Sequence, residues 1–446
     1  MNVSYRRVWH FAWPVTLSNI TVPMLGLVDS AVLGHLPSTT YLGAVAIGAS
    51  LFTFVFWAFG FLRMGTTGLV AKASGEDDSQ RVRDILVQSL VLAGGIGFIL
   101  ILLARPILSA AIPFYQPGPL ITSELETYFL TRSLSAPAVL ANYAILGWLL
   151  GVQMARAPLI LLTFANAINI VLDLFLVLGL GMKTGGVALA TVVADYSTLM
   201  LGLYLVAGQL RTLPGCFRFR EVIRFDAMQS LLLVNRQLFV RTLCLLFTFA
   251  TFTAWGSRLG DDTLAANALL LNFLMLISNA LDGFAFAAEA LVGKACGQRN
   301  RSTFQSVVMA TGVCSVIMAF GCFLVFLLFG QNILGLLTDI DGLDKMAAEY
   351  LPWLIAMPLV GVLCFWLDGV YIGMGKTGLM QNLMVLSTGL IFIPAWYLTR
   401  ESGNHGLWFA FTLFMAARSV GMAAVFVPVY RNYCRTLGEP VSASVR

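Results

Sequence analysis

Twelve long apolar stretches run through this chain of 446 residues, and they limit its fold more than any single motif does. They lie near 9–34, 41–71, 85–104, 123–148, 158–180 and 186–207, then near 230–255, 263–293, 304–329, 347–372, 379–399 and 405–430. Each approaches or exceeds the roughly 20 residues a helix needs to cross a bilayer. A helix also satisfies its backbone hydrogen bonds within the segment, as hydrocarbon requires. The chain is 59% hydrophobic and 11% charged, against about 25% charged in soluble domains. The expected fold is therefore an all-α integral membrane protein with twelve transmembrane helices. The first stretch lacks a small-residue cleavage site and reads as a span rather than a removable signal.

Orientation follows from lysine and arginine in the short connections. With both termini in the cytoplasm, seventeen of the 27 basic residues fall on inside ends and five (Arg105, Lys183, Arg258, Lys345, Arg400) outside. The net charge of +5 is thus an orientation signal and excludes a nucleic-acid surface. The expected location is the inner membrane of a bacterium. Five arginines, Arg63, Arg132, Arg236, Arg241 and Arg418, fall inside spans. Arg63, Arg132 and Arg236 are close enough to span ends to snorkel toward water; Arg241 and Arg418 are deeper. The seven cysteines have no metal-type spacing and imply no disulfide framework. His10, His35 and His405 are too scattered for a metal site or a nucleophilic triad. With no nucleophile or metal set, the sequence excludes an intramembrane enzyme, and no cofactor is expected.

The chain repeats itself. Leu69-Val-Ala-Lys-Ala-Ser-Gly75 recurs as Leu291-Val-Gly-Lys-Ala-Cys-Gly297 at a shift of 222, while Ala155-Arg156 and Gly186 recur as Gly375-Lys376 and Gly406 at 220. Two six-helix lobes follow, 1–208 and 230–430, joined by a cytoplasmic linker at 209–229 and followed by a tail at 431–446. Because six is even, both lobes enter the membrane from the same side, so their pseudo-twofold runs along the membrane normal. This arrangement disfavours a passive channel and places a substrate cavity between the lobes, open alternately to either side.

Charged residues inside spans are costly and mark functional pathways. Asp29 lies about five residues, roughly 8 Å, from the end of the first span at Gly34. Asp173 lies about eight residues from Gly181, Asn169 one turn deeper, and Thr191 about five residues into the sixth span. These four groups, from three helices, share the outer half of the first lobe, with Asp195 one turn beyond Thr191 on the same helix face. Carboxylate, amide and hydroxyl oxygens suit a proton or sodium and hold no soft ligand for a transition metal. In the second lobe, Asp282, Glu289 and Asp368 are accompanied by Arg236, Arg241 and Arg418, which reads as mutual neutralisation. Arg241, Asp368 and Arg418 form the candidate polar network there. Pro14 and Pro23 each remove a backbone donor from the first span and predict a kink before Asp29.

Several long motifs resemble one family. They are Ser18-Asn-Ile-Thr-Val-Pro-Met-Leu-Gly-Leu-Val-Asp-Ser-Ala-Val-Leu-Gly-His35, Phe61-Leu-Arg-Met-Gly-Thr-Thr-Gly68, Gly147-Trp-Leu-Leu-Gly-Val-Gln-Met-Ala-Arg-Ala-Pro158, Ala280-Leu-Asp-Gly-Phe-Ala285, Leu367-Asp-Gly-Val-Tyr-Ile-Gly373 and Gly403-Asn-His-Gly-Leu-Trp408. From about Trp9 to Arg431 the chain resembles the multidrug and toxic compound extrusion (MATE) family, in particular its DinF-like branch. The resemblance implies twelve helices in two lobes around a V-shaped cleft, and export of amphipathic, often cationic, organic compounds against inward protons or sodium. It implies that Asp29 is the essential carboxylate of the first helix and that Asn169, Asp173 and Thr191 are its cation-site companions. Some relatives carry a glutamate in the seventh helix as a sodium ligand; here that span has Arg236 and Arg241 and no acid. Proton coupling is therefore the expected mode, with sodium, held at the same first-lobe residues, as the alternative. A flippase of lipid-linked saccharides is a further alternative, set against the acidic first lobe. The expected partners are small organic cations and the bilayer, with no nucleic acid and no obligate protein partner.

Overall fold

The computed structural model describes residues 5–34, 38–216, 219–337 and 342–436, with side chains at all of these except 20–34, 39, 219–220 and 336–337. Among the described residues every regular element is helical. The N-terminal half of the chain gives α1 (Tyr5–Gly34), α2 (Thr39–Ala58), α3 (Phe61–Gly75), α4 (Ser79–Tyr115), α5 (Pro119–Ser133), α6 (Ala136–Gly151), α7 (Ala157–Asp173) and α8 (Lys183–Leu210). After a short α9 (Phe219–Val222) come α10 (Phe225–Ser257), α11 (Asp261–Gly297), α12 (Arg301–Leu337), α13 (Leu343–Gly373), α14 (Thr377–Leu386), α15 (Ile393–Thr399) and α16 (Gly403–Thr436). Local signals set the starts: the Ser38 hydroxyl accepts from the Thr40 N–H at 3.2 Å, and the Asp78 carboxylate accepts from the Arg81 N–H at 2.9 Å.

All twelve expected spans have a helical counterpart. By length and composition alone, nine described helical runs qualify, and α5 with α6, bent by 46°, makes a tenth. One of the nine runs from Thr377 to Thr436, 60 residues. As a single helix it would be about 90 Å long, some three hydrocarbon cores. It turns instead at Arg400–Ser402, where Gly403 takes φ +56°, and α15 packs back on α16. That run is therefore two spans, and α1 is the twelfth. The helix of α1 is continuous through Pro14 and Pro23, so neither proline ends it, although the carbonyl of His10 loses its intrahelical donor at Pro14.

The chain separates into two compact units, one of Leu17–Ser74 with Asp78–Asn235, the other of Met1–Thr16, Gly75–Asp77 and Arg236–Arg446. These boundaries fall inside α1, at the end of α3 and inside α10, and not at the linker, which lies within the segment Asp78–Asn235. The start of α1 belongs with the C-terminal unit, where Trp9 meets Phe284 edge-on at 4.9 Å and the Thr16 hydroxyl donates to the Ala280 carbonyl at 3.4 Å.

Within each unit the repeat reappears as packing. A Cβ on Gly147 would strike the Arg63 carbonyl, and one on Gly151 would strike Val70 and the backbone of Ala71. In the other unit Gly369 sits against the Ala285 carbonyl, and Gly373 against Val292 and the backbone of Gly293. Every one of these pairs is related by the shift of 222 read from the sequence. Both are small-xxx-small stripes, which let helix backbones approach closely where no hydrophobic force between helices exists.

The linker is docked in the N-terminal unit. The Gln80 amide donates to the Cys216 carbonyl at 2.9 Å and accepts from the Cys216 N–H at 3.1 Å. Arg83 donates to the Leu210 and Leu213 carbonyls, both at 2.6 Å, and Gln88 to those of Val222 and Ala227 at 3.1 and 3.0 Å. Arg83 thereby ties the last carbonyl of α8, and that of Leu213 just beyond it, to α4.

Candidate functional site

In the N-terminal unit the structure brings Asn169, Asp173 and Thr191 together. Asn169 and Asp173 lie one turn apart at the end of α7 and are fully buried, and Thr191 on α8 is 5% exposed. The Asn169 amide donates to the Thr191 hydroxyl at 3.1 Å, and that hydroxyl donates its own proton to the Val187 carbonyl at 3.0 Å. The proton of the Thr191 hydroxyl is thus committed, and its oxygen is the acceptor facing α7. Directly after Asp173 the helix widens into a π-helical segment, Leu174–Gly179, a departure frequent at functional sites. The side chains of Asp29 and Pro23 lie outside the described residues.

Asp195, expected just beyond Thr191, has a different partner. Its carboxylate pairs with Arg132 at 2.9 Å, and its backbone carbonyl accepts from the Asn142 amide at 3.0 Å. Arg132 does not snorkel to water as the sequence suggests. It ends α5 facing α8, lies 5.7 Å over the Phe52 ring, and neutralises the Asp195 carboxylate, the cheaper course at that depth. Arg63 departs in the same way: it is buried, 7% exposed, rather than extended to an interface. Arg236 is exposed.

In the C-terminal unit Arg241 of α10, Asp368 of α13 and Arg418 of α16 converge. Arg241 and Arg418 both donate to the same Asp368 carboxylate oxygen, Oδ2, the latter at 3.2 Å. Arg418 also stacks 5.6 Å over the Phe414 ring, and Asp282 lies close enough to act on Arg241. Glu289 is buried at 1% exposure. The arginines therefore gather on Asp368 rather than distributing one to each acid. A second buried network was not foreseen: Asn267 and Asn404 exchange amide hydrogen bonds at 2.7 and 2.9 Å, and the Trp408 indole donates to Asn267 at 2.8 Å. Asn404 and Trp408 belong to the motif at 403–408, the one signal that pointed there.

Comparison with known proteins covers almost the whole chain. The MatE family profile matches residues 14–175 and 238–398. DNA damage-inducible protein F of Escherichia coli (strain K12) is 43% identical over 96% of this chain and 93% of its own. A probable multidrug resistance protein NorM of Acinetobacter baylyi is 22% identical, over 96% of both chains. Among solved structures, a crystal structure of MATE in the straight conformation superposes with a TM-score of 0.84 over 98% of this chain and 97% of that one, at 17% identity; an outward-facing conformation of a multidrug resistance MATE family transporter does so at 0.82. These relatives are transporters and not enzymes, and the twelve helices in two six-helix lobes are their architecture. With two matched segments falling on its two internal repeats and a relative more than 40% identical along nearly its entire length, this multi-pass membrane protein belongs to the MATE family of multidrug efflux transporters.

Proposed function

We propose that the protein exports amphipathic, cationic organic compounds in exchange for inward protons by alternating access, with Asp29, Asn169, Asp173 and Thr191 as the coupling residues. The observation that carries this reading is a fully buried carboxylate, Asp173, one turn from an amide already oriented on the Thr191 hydroxyl. A carboxylate in such a place, at the edge of a π-helical segment, can bind and release a proton while the helix pair keeps its register. Protonation removes negative charge from the N-terminal unit and weakens its hold on a cationic compound. Each proton moving inward draws about 2.3 kcal/mol per 100 mV of membrane potential.

Sodium is the second reading, favoured by the neutral oxygens of Asn169 and Thr191 beside the acid, a hard-ligand set. The test is ethidium efflux from proteoliposomes under an imposed pH gradient, an imposed sodium gradient, or neither, with Asp29→Asn in parallel. Pumping driven by pH and lost in the variant is the expected result. Pumping driven by sodium alone would replace the ion, and normal pumping by Asp29→Asn would overturn the assignment of the site.

A further inference from the structure

The C-terminal unit contains a lateral groove that the transport reading does not use. It is bounded by α12, α13 and α16, encloses about 720 Å³, and extends along α12 from Gln305 to Ile317. Its floor exists because Gly312 has no side chain: the Trp366 ring occupies the space a Cβ would need. The Trp366 indole N–H is spent on the Thr311 hydroxyl at 3.1 Å, which leaves the ring faces apolar, and Phe426 continues the wall between Trp366 and Tyr430 at centroid distances of 5.8 and 5.4 Å. The outer rim, Met309 and Ile317, is 64% and 52% exposed.

Polarity is confined to one end. Gln305 and Tyr430 close the groove there, and Arg301 is near enough to act on the Tyr430 phenol. Arg299, Arg301, Arg431 and Arg435 are all exposed in the adjoining segments. From Gln305 to Ile317 is about 18 Å along the helix, close to half of a hydrocarbon core of about 30 Å. A slot one leaflet deep, apolar along its length and basic at its mouth, fits an anionic amphiphile and repels a cationic one. We propose that this groove binds one acyl chain of an anionic phospholipid, with the headgroup phosphate held by Arg301 and its neighbouring arginines.

Native mass spectrometry of the detergent-purified protein, titrated with phosphatidylglycerol or phosphatidylcholine of identical acyl chains, tests this. The wild type is expected to retain the anionic lipid preferentially. Met309→Trp combined with Ile317→Trp fills the slot from its exposed rim and is expected to abolish retention of both lipids. Arg301→Gln, at an exposed position outside the packed core, is expected to lower the anionic preference about fivefold, as one surface arginine is worth about 1 kcal/mol. Equal retention of the two lipids by the wild type, undiminished phosphatidylglycerol in the filled variant, or no change with Arg301→Gln would each overturn the proposal.

Discussion

The two units of this transporter share a scaffold and differ in what they bury. Gly147 and Gly151 meet α3 much as Gly369 and Gly373 meet α11, position for position at a shift of 222. The polar groups do not follow that symmetry. At the shift of 220, Asn169, Asp173 and Thr191 correspond to Gly389, Ile393 and Phe411; at 222, Asp368 and Arg241 correspond to Leu146 and Asn19. The N-terminal unit buries a carboxylate beside neutral donors, and the C-terminal unit buries one between two guanidinium groups. A duplicated packing frame is thus compatible with a buried carboxylate among neutral polar groups in one copy and an ionic cross-link among three helices in the other.

The most severe way to break the comparison is to remove a charge from the C-terminal cross-link. Arg241→Met leaves Asp368 paired with Arg418 alone, its charge still neutralised but one of its two buried charge-assisted hydrogen bonds lost, and is expected to destabilise the protein by about 1.5–3 kcal/mol. Asp173→Asn, which removes a charge of the other kind of site, is expected to leave thermal unfolding in detergent nearly unchanged while abolishing gradient-driven ethidium efflux. If Arg241→Met were as stable as the wild type, the three-residue cluster would not be the structural cross-link described.

Next in size come the shared glycines. Gly147→Leu and Gly369→Leu both force a side chain into a neighbouring helix backbone, and each is expected to cost about 1–3 kcal/mol, the usual range for overpacking, and more if the helices cannot separate. The informative quantity is the ratio of the two losses, read from unfolding midpoints in the same detergent. Similar losses would confirm that the repeat governs packing; a large loss in one unit only would confine the equivalence to sequence.

Much of this was legible in the chain because hydrophobic length and repeated small residues act locally. The twelve spans, the two halves, and the meeting of Asn169 with Thr191 and of Asp368 with two arginines follow from depth along helices. What escaped depended on lateral direction, which depth does not give. Arg132 could reach water or Asp195, and only the facing of α5 on α8 decides. The same holds for the Asn267–Asn404 pair and for Arg83, which by its place near a helix start reads as an orientation charge and instead binds the carbonyls of Leu210 and Leu213, at and just past the end of α8. Likewise the domain boundary read at the linker falls, in the structure, within α1 and α10, because a long helix can pack on different neighbours at its two ends.

The smallest effect expected is also the one that separates the two kinds of site most finely. Thr191→Val keeps the shape of the side chain and removes the hydroxyl that accepts from Asn169 and donates to Val187. One buried hydrogen bond is worth about 1 kcal/mol, and the unmatched Asn169 amide adds a desolvation cost, so stability should fall by about 1–2 kcal/mol. Asn169→Ala removes the orphaned partner as well, and the double variant should therefore be no worse than the sum of its parts, with a coupling of about 0.5–1 kcal/mol in a double-mutant cycle on unfolding. If the pair only braces α7 against α8, efflux should track stability across the three variants. If it orients the oxygens around Asp173, efflux should fall further than stability does, and the gradient needed for half-maximal pumping should rise in Thr191→Val and Asn169→Ala alike, while Arg241→Met, measured below its unfolding transition, leaves that gradient where it is.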